Sequence, residues 1–353
     1  MNQFSRFNLP LCMVVEEDAF TRVDQILNAY LPEIKGKKTL IATDAFLHNN
    51  LAATLADMSR DFGDAEIYEV ADASFDIAAS LAKHMAMNGI KVIIGLGGGK
   101  VLDTAKYAAF ISQATYISLP STLSNDSMAS PLAVLEMENG GRMTLPCKIP
   151  TAIIVDTKVI SSAPRSQLMS GIGDTIGKYT AVYDWQLAEA AVGSHVDDFA
   201  YSIAWMCYDS VANCDVRNTD SPEFVRILSR ALVMGGLAME IAGSSKPSSG
   251  SEHLFCHAIE EYHPELRISH GLGVALGCVG AAMFQGRDET KIINICRKFG
   301  LDLNPESYGI DRDMFEELWM RAPQTRPNRV TILNQTSLNR EWLDQVYERM
   351  QKG

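Results

Sequence analysis

Four of the chain's seven histidines fall in one run of 22 residues, Gly250-Ser-Glu-His-Leu-Phe-Cys-His-Ala-Ile-Glu-Glu-Tyr-His-Pro-Glu-Leu-Arg-Ile-Ser-His-Gly271. His253 and His257 are four residues apart, so on a helix they share one face. Ser251 is an expected N-cap and Pro264 an expected stop. His270 follows a short break and precedes Gly271, where a backbone can come close to another group. Three imidazoles gathered this way could bind a transition metal. Upstream, Asp174 stands in Gly171-Ile-Gly-Asp-Thr-Ile-Gly177. It reads either as the cap of a long helix running through Trp185 and Leu187 or as a carboxylate ligand completing a divalent-metal shell. Cys256, between two of the histidines, is expected to pack inward.

A second chemical stretch lies in the first half. The apolar run Lys91-Val-Ile-Ile-Gly-Leu96 leads into Gly97-Gly-Gly-Lys-Val-Leu-Asp-Thr-Ala-Lys106. Three glycines between a strand and a helix leave backbone N–H groups free to face an anion, and the helix dipole favours it. A pyrophosphate is the natural guest. Lys100 breaks the Gly-x-Gly-x-x-Gly pattern, and no Walker Gly-Lys-Ser/Thr is present. Asp44 closes an earlier strand, where a carboxylate either caps a helix or accepts from a ribose diol and repels a 2′-phosphate. That leans toward NAD over NADP. Pro120-Ser-Thr-Leu-Ser-Asn-Asp126, continuing to Ser130-Pro131, is rich in hydroxyls, which suit phosphate oxygens or plain turns.

The elements that must position these groups follow from periodicity. Helical patterns over 18–31, 51–62 and 76–88 alternate with apolar strands at 37–43, 65–70, 91–96, 116–119 and 152–156. Such alternation predicts a parallel sheet with helices packed on it. A hairpin is expected around Asn139-Gly-Gly. Beyond about residue 160 strand patterns give way to helices, at about 196–215, 222–242, 249–262, 270–285, 288–299 and 311–321. The expected organisation is therefore 1–160, an α/β nucleotide-binding domain with a parallel sheet, and 161–353, an all-α domain carrying metal and substrate. Three arginines in Arg321-Ala-Pro-Gln-Thr-Arg-Pro-Asn-Arg329 either meet a phosphate or stay solvated.

Composition sets the outer bounds. With 353 residues, 47% apolar and 21% charged, the chain has the makeup of a globular protein. A net charge of −12 argues against nucleic acid and anionic membranes as partners. No apolar run is long enough to span a bilayer. The opening residues lack the regions of a signal peptide, and seven cysteines without Cys-x-x-Cys read as reduced thiols of a cytoplasmic protein.

Taken in order, Gly97-Gly-Gly-Lys-Val-Leu-Asp103, Pro120-Ser-Thr-Leu-Ser-Asn-Asp126 to Pro131, Gly171-Ile-Gly-Asp174, Ser249-Gly-Ser-Glu-His253 to His257 and His270-Gly271 resemble the dehydroquinate synthase-like and iron-containing alcohol dehydrogenase superfamily. Ala181-Val-Tyr-Asp-Trp185 and Arg326-Pro-Asn-Arg-Val-Thr-Ile-Leu333 sharpen this toward the sn-glycerol-1-phosphate dehydrogenases. The resemblance runs from about residue 35 to 335. It implies a dehydroquinate synthase-like fold, with a site in a cleft between an α/β and a helical domain. It implies Asp174, His253 and His270 as metal ligands, His257 as a substrate contact in place of a ligand, and Asp126 as another substrate contact. Gly98, Gly99, Lys100, Ser121, Thr122 and Ser130 match cofactor contacts, and Asp44, Gly97 and Asp103 are counted with them.

The implied reaction is reversible hydride transfer between NAD, or NADP, and dihydroxyacetone phosphate, giving sn-glycerol 1-phosphate for phospholipid synthesis. His257 or Asp126 would relay the proton. Zn2+ is the first choice of metal, and Ni2+ or Fe2+ fit the same residues. The expected partner is a phosphorylated triose, and the expected assembly a homo-oligomer. Two departures bear on substrate. Asn125-Asp126-Ser127 stands where the family usually has His-Asp-Gly, and Ser121 where Thr is usual. Alternatives are a glycerol or alcohol dehydrogenase, another dehydroquinate synthase-like enzyme such as a cyclase, or a non-catalytic nucleotide-binding protein.

Overall fold

The structure is a computed structural model, which describes residues 7–138 and 140–352. Asn139 of the expected hairpin turn and the first six residues lie outside the described residues. The described residues form two compact units, one drawn from those up to 164 and from 220–229, the other from 165–219 and from 230 onward.

The first unit is built on strands β1 (Cys12–Glu16), β2 (Thr39–Thr43), β3 (Glu66–Glu69), β4 (Val92–Gly97), β5 (Thr115–Pro120) and β8 (Ala152–Asp156). They form one sheet in the order β1-β8-β5-β4-β2-β3, with every pairing parallel. Helices α1 (Val23–Tyr30), α2 (Ala45–Asn50), α3 (Ala52–Asp61), α4 (Phe75–Asn88), α5 (Gly99–Ser112) and α6 (Thr157–Ser162) belong to the same unit. All residues of β2, β4 and β8 are buried, as strands covered on both faces require. Local chemistry sets the helix ends. Ser74 caps α4 by accepting from the Ile77 N–H at 3.3 Å, and Gly89 ends it at φ 67°. β6 (Leu132–Glu136) and β7 (Arg142–Pro146) form a separate antiparallel hairpin. Strand β1 was not foreseen. Its five residues sit at the sheet edge beside β8, too short and too close to the N-terminus for a clear period.

The order β3-β2-β4-β5-β8 places the chain reversal between β2 and β4. From β2 the chain adds β3 on one side, and then returns across β2 to β4 on the other. Open parallel sheets bind ligands at the strand carboxyl ends beside such a reversal. Asp44 follows β2 and the glycine run follows β4, so both stand at that point.

The second unit is helical: α7 (Arg165–Ile176), α8 (Lys178–Val192), α9 (Asp198–Ala212), most of α10 (Pro222–Ala242), α11 (Ser251–Tyr262), α12 (His270–Phe284), α13 (Thr290–Phe299), α14 (Arg312–Thr325) and α15 (Arg340–Gln351). Phe255, Phe284, Phe315 and Trp319 pack ring against ring, with Trp319 4.6 Å from Phe255 and 4.9 Å from Phe284. This cluster fixes α11, α12 and α14 to one another. Three boundaries differ from the sequence reading. Asp174 lies late in α7, and α8 follows as a separate helix, so Asp174 is not a cap. Gly250, not Ser251, is the N-cap of α11. α14 continues through Pro323 to Thr325, and α15 was unforeseen. No helix among the described residues is long and apolar enough to cross a membrane.

Candidate metal and cofactor sites

Asp174 comes from α7, His253 from the first turn of α11, and His270 from the start of α12. Glycine contacts bring these helices together. A Cβ on Gly173 would stand 2.0 Å from the Gly271 carbonyl oxygen, and one on Gly271 would stand 1.7 Å from that of Ser170. The α7 and α12 backbones therefore touch, and the residues next to these glycines, Asp174 and His270, meet. The Gly271 N–H also donates to the Ser170 hydroxyl at 3.0 Å.

Asp174 Oδ1 lies 3.7 Å from His253 Nε2 and 3.8 Å from His270 Nε2. One donor atom from each of the three residues lies within 4.8 Å of the others. The far nitrogen of each imidazole is held by a carboxylate: His253 Nδ1 by Glu252 Oε1 at 2.8 Å, and His270 Nδ1 by Glu260 Oε1 at 2.9 Å. Carboxylates behind ligand histidines fix the tautomer and aim the other nitrogen at a cation. Asp174 Oδ2 is buried without a hydrogen-bond partner, and the nearest cation, Lys178 Nζ, is 3.7 Å away. A buried carboxylate with one oxygen opposite two aimed imidazoles and the other unpartnered fits a divalent cation with mixed N and O ligands.

Electrostatics agree with an anionic focus. Burial alone would raise the Asp174 carboxyl, but Lys178, His253 and His270 hold it down at about 2. Burial disfavours charge on His253, yet Asp174 and Glu252 raise it above its ordinary value. Glu260, although buried, is held well below the usual carboxylate range by His270 and His257.

His257 is one turn along from His253, with ring centroids 6.2 Å apart, and 5.9 Å from His270. Its Nδ1 meets Glu260 Oε2 at 3.3 Å. Burial takes it down to about 4, so it is neutral at pH 7. Cys256 is buried, its thiol 3.4 Å from His270 Nδ1 and pushed up to about 11 by burial. Sequence reasoning missed Glu252 and Glu260. Their spacing, one residue before a ligand and three after His257, was a visible signal.

In the first unit, Gly98 caps α5, which begins at Gly99. A Cβ on Gly98 would reach 3.3 Å from the Thr122 hydroxyl, and one on Gly99 3.4 Å from that of Ser127. The glycines thus leave a cradle beside the hydroxyl loop, bounded by Ser121, whose N–H donates to the Gly97 carbonyl at 2.9 Å. Lys100 reaches the Ala71 carbonyl at 3.1 Å. Asp44 caps α2, accepting from the Leu47 N–H through Oδ1 at 2.9 Å, which leaves Oδ2 for another donor. Two expected cofactor contacts are turned elsewhere. Asp103 gives one oxygen to Lys106 at 3.0 Å and the other to the Val134 N–H at 3.1 Å. Ser130 joins the same network, 3.4 Å from Lys106 Nζ and 3.2 Å from the Leu132 carbonyl. They anchor the β6–β7 hairpin to α5. Asp126 opens a short 3-10 turn, its carbonyl accepting from Ala129 and Ser130.

Comparison with known proteins places the chain in a family. The profile of the iron-containing alcohol dehydrogenase family matches residues 14–164. The chain is 39% identical over 282 residues to a glycerol-1-phosphate dehydrogenase [NAD(P)+] of Sulfurisphaera tokodaii, covering 80% of each chain. It is 36% identical over 309 residues to the enzyme of that name from Sulfolobus acidocaldarius, covering 87% of each. Among solved structures it superposes on a glycerol dehydrogenase from Schizosaccharomyces pombe with a TM-score of 0.79 at 24% identity, over 98% of this chain and 91% of the other. A probable glycerol dehydrogenase from Sinorhizobium meliloti gives 0.78 at 21%, over 99% of both. The fold is thus shared with proteins of remote sequence, while much closer sequence kinship lies elsewhere. The chain belongs to the NAD(P)-linked glycerol-1-phosphate dehydrogenases, within the iron-containing alcohol dehydrogenase family.

Proposed function

We propose that the chain catalyses NAD(P)H-dependent reduction of dihydroxyacetone phosphate to sn-glycerol 1-phosphate, and the reverse. The observation that carries this reading is the donor set of Asp174, His253 and His270, each imidazole backed by a carboxylate, in a chain 39% identical over most of its length to an enzyme of that name. The residues would hold one divalent cation, Zn2+ by preference, with Ni2+ or Fe2+ fitting the same set. When bound, the nicotinamide supplies the hydride and the cation polarises the ketone oxygen.

The chain's own residues do the rest. The backbone of Gly97, Gly98 and Gly99 at the start of α5 holds a pyrophosphate, and Ser121 and Thr122 flank it. Asp44 Oδ2 accepts from a ribose hydroxyl and disfavours a 2′-phosphate, giving preference to NAD. His257, neutral at pH 7, donates from one ring nitrogen and accepts at the other, the property a proton relay needs. Asp126 shares in orienting the substrate hydroxyls. No disulfide joins any of the seven cysteines, which suits a reducing cytoplasm.

The test is NADH oxidation by metal-loaded protein with dihydroxyacetone phosphate, dihydroxyacetone and simple aldehydes side by side. Strong preference for the phosphorylated ketone is expected. Equal or better turnover of an unphosphorylated carbonyl would move the function to a glycerol or alcohol dehydrogenase.

A further inference from the structure

The segment between α10 and α11, Ser244-Ser-Lys-Pro-Ser-Ser-Gly250, is not used by the metal site. Arg329 reaches back to it from beyond α14, donating to the Ser249 carbonyl at 2.7 Å and to the Ser245 hydroxyl at 2.6 Å. Lys246, in the same segment, has the Ser194 hydroxyl as its hydrogen-bond partner. Among the described residues neither cation has a carboxylate within ion-pair distance. The buried acids Glu252 and Asp184 act on Arg329 through their charge, while their oxygens accept from other donors.

Burying two neighbouring cations that touch no carboxylate directly is costly, and more so when they repel each other. Burial, then the charge of Arg329, lowers the Lys246 ammonium from its ordinary value. Ser248, two residues after Lys246, keeps a buried hydroxyl with no partner. Two cations at one segment with no direct carboxylate contact, beside an unpartnered buried hydroxyl, offer a place for an anion. The place is close to the chemistry. Ser249 immediately precedes the cap of α11, and His253 is in that helix's first turn, roughly 6 Å further along at the helical rise.

We infer that Lys246 and Arg329, with the Ser245 and Ser248 hydroxyls, form the seat for the phosphate of the substrate. The inference rests on the reaction proposed above, and it names what selects a phosphate monoester over the free polyol. Arg329 supplies a planar fork suited to two phosphate oxygens, and Lys246 a point charge. Arg326, held by Glu261 at 2.9 Å, adds its charge to that of Arg329.

The experiment compares kcat/KM for dihydroxyacetone phosphate and dihydroxyacetone in wild type, Lys246→Ala, Lys246→Arg and Arg329→Met. Inorganic phosphate is titrated calorimetrically against the same metal-loaded proteins. Loss of either cation is expected to lower the preference for the phosphorylated ketone about tenfold or more. Phosphate affinity should fall in parallel, metal content should stay stoichiometric, and Lys246→Arg should recover most of the preference. Arg329 also braces the segment, so Lys246→Ala decides if Arg329→Met fails to fold. A wild type that prefers the phosphorylated ketone, with that preference and its phosphate affinity intact in Lys246→Ala, overturns the seat. A wild type that ignores the substrate's phosphate, yet binds inorganic phosphate through Lys246, overturns the reaction and supports the seat.

Discussion

Glu252 Oε1 stands 2.8 Å from His253 Nδ1 and directs the opposite ring nitrogen toward Asp174. The carboxylate is fully buried and is itself held, accepting from the Gly250 N–H at 2.6 Å and from the Thr180 hydroxyl at 2.7 Å. Glu252→Gln keeps the volume but removes the charge and offers an amide donor where an acceptor is needed. Metal affinity should fall about 10–100-fold, read by competition with a chromophoric chelator. Affinity within twofold of wild type would remove Glu252 from the support of the site.

Asp174→Ala should abolish stoichiometric metal binding and leave NADH binding intact, because the glycine cradle belongs to the other unit. Metal analysis and quenching of NADH fluorescence read the two separately. Retained metal would take Asp174 out of the ligand set.

Gly271→Ala places a methyl group against the Ser170 carbonyl at less than 2 Å, which only backbone movement can relieve. Overpacking of this kind costs about 1–3 kcal/mol. It should also separate Asp174 from His270 and weaken metal binding beyond the loss in stability. A folded Gly271→Ala with unchanged metal affinity would show that the helix crossing does not set ligand spacing.

Asp184 gives a pH prediction. Burial, then the nearby Glu252, pushes its carboxyl up to about 7. Its oxygens accept from the Ser251 N–H at 2.7 Å and the Ile332 N–H at 2.8 Å. The folded state therefore keeps a proton that the unfolded chain has released. Between the ordinary carboxylate value and about pH 7, stability falls as pH rises, by an amount of order a few kcal/mol. Asp184→Asn should flatten that slope in denaturant titrations at pH 5 and 8. An unchanged slope would locate the proton elsewhere.

The sheet was legible because strands covered on both faces read as short continuous apolar runs, as in Val92–Gly97. The edge strand β1 lacked that signal. The ligand histidines announced themselves by density, and the glycines at 171, 173 and 271 by position. Asp174 was misplaced within its helix because Gly171 and Gly173 read as a helix start. Gly173 serves instead as a contact point against Gly271 of α12, a role that depends on a helix roughly 100 residues away. Asp103 and Ser130 lay in the right stretch of sequence, yet both point to Lys106, and the facing direction of a side chain on a buried helix follows from its packing partner, here the hairpin. The carboxylates behind the histidines were readable in hindsight from spacing alone.

The touching glycines of α7 and α12 give a bound cation a mechanical part. Asp174 and His253 are separated by a stretch of roughly 80 residues, and a cation linking them closes that stretch into a loop, as a covalent cross-link would. Occupancy should then protect the intervening helices from proteases and slow the exchange of their amide hydrogens, so that losing the ion loosens a large part of the helical unit together with its chemistry.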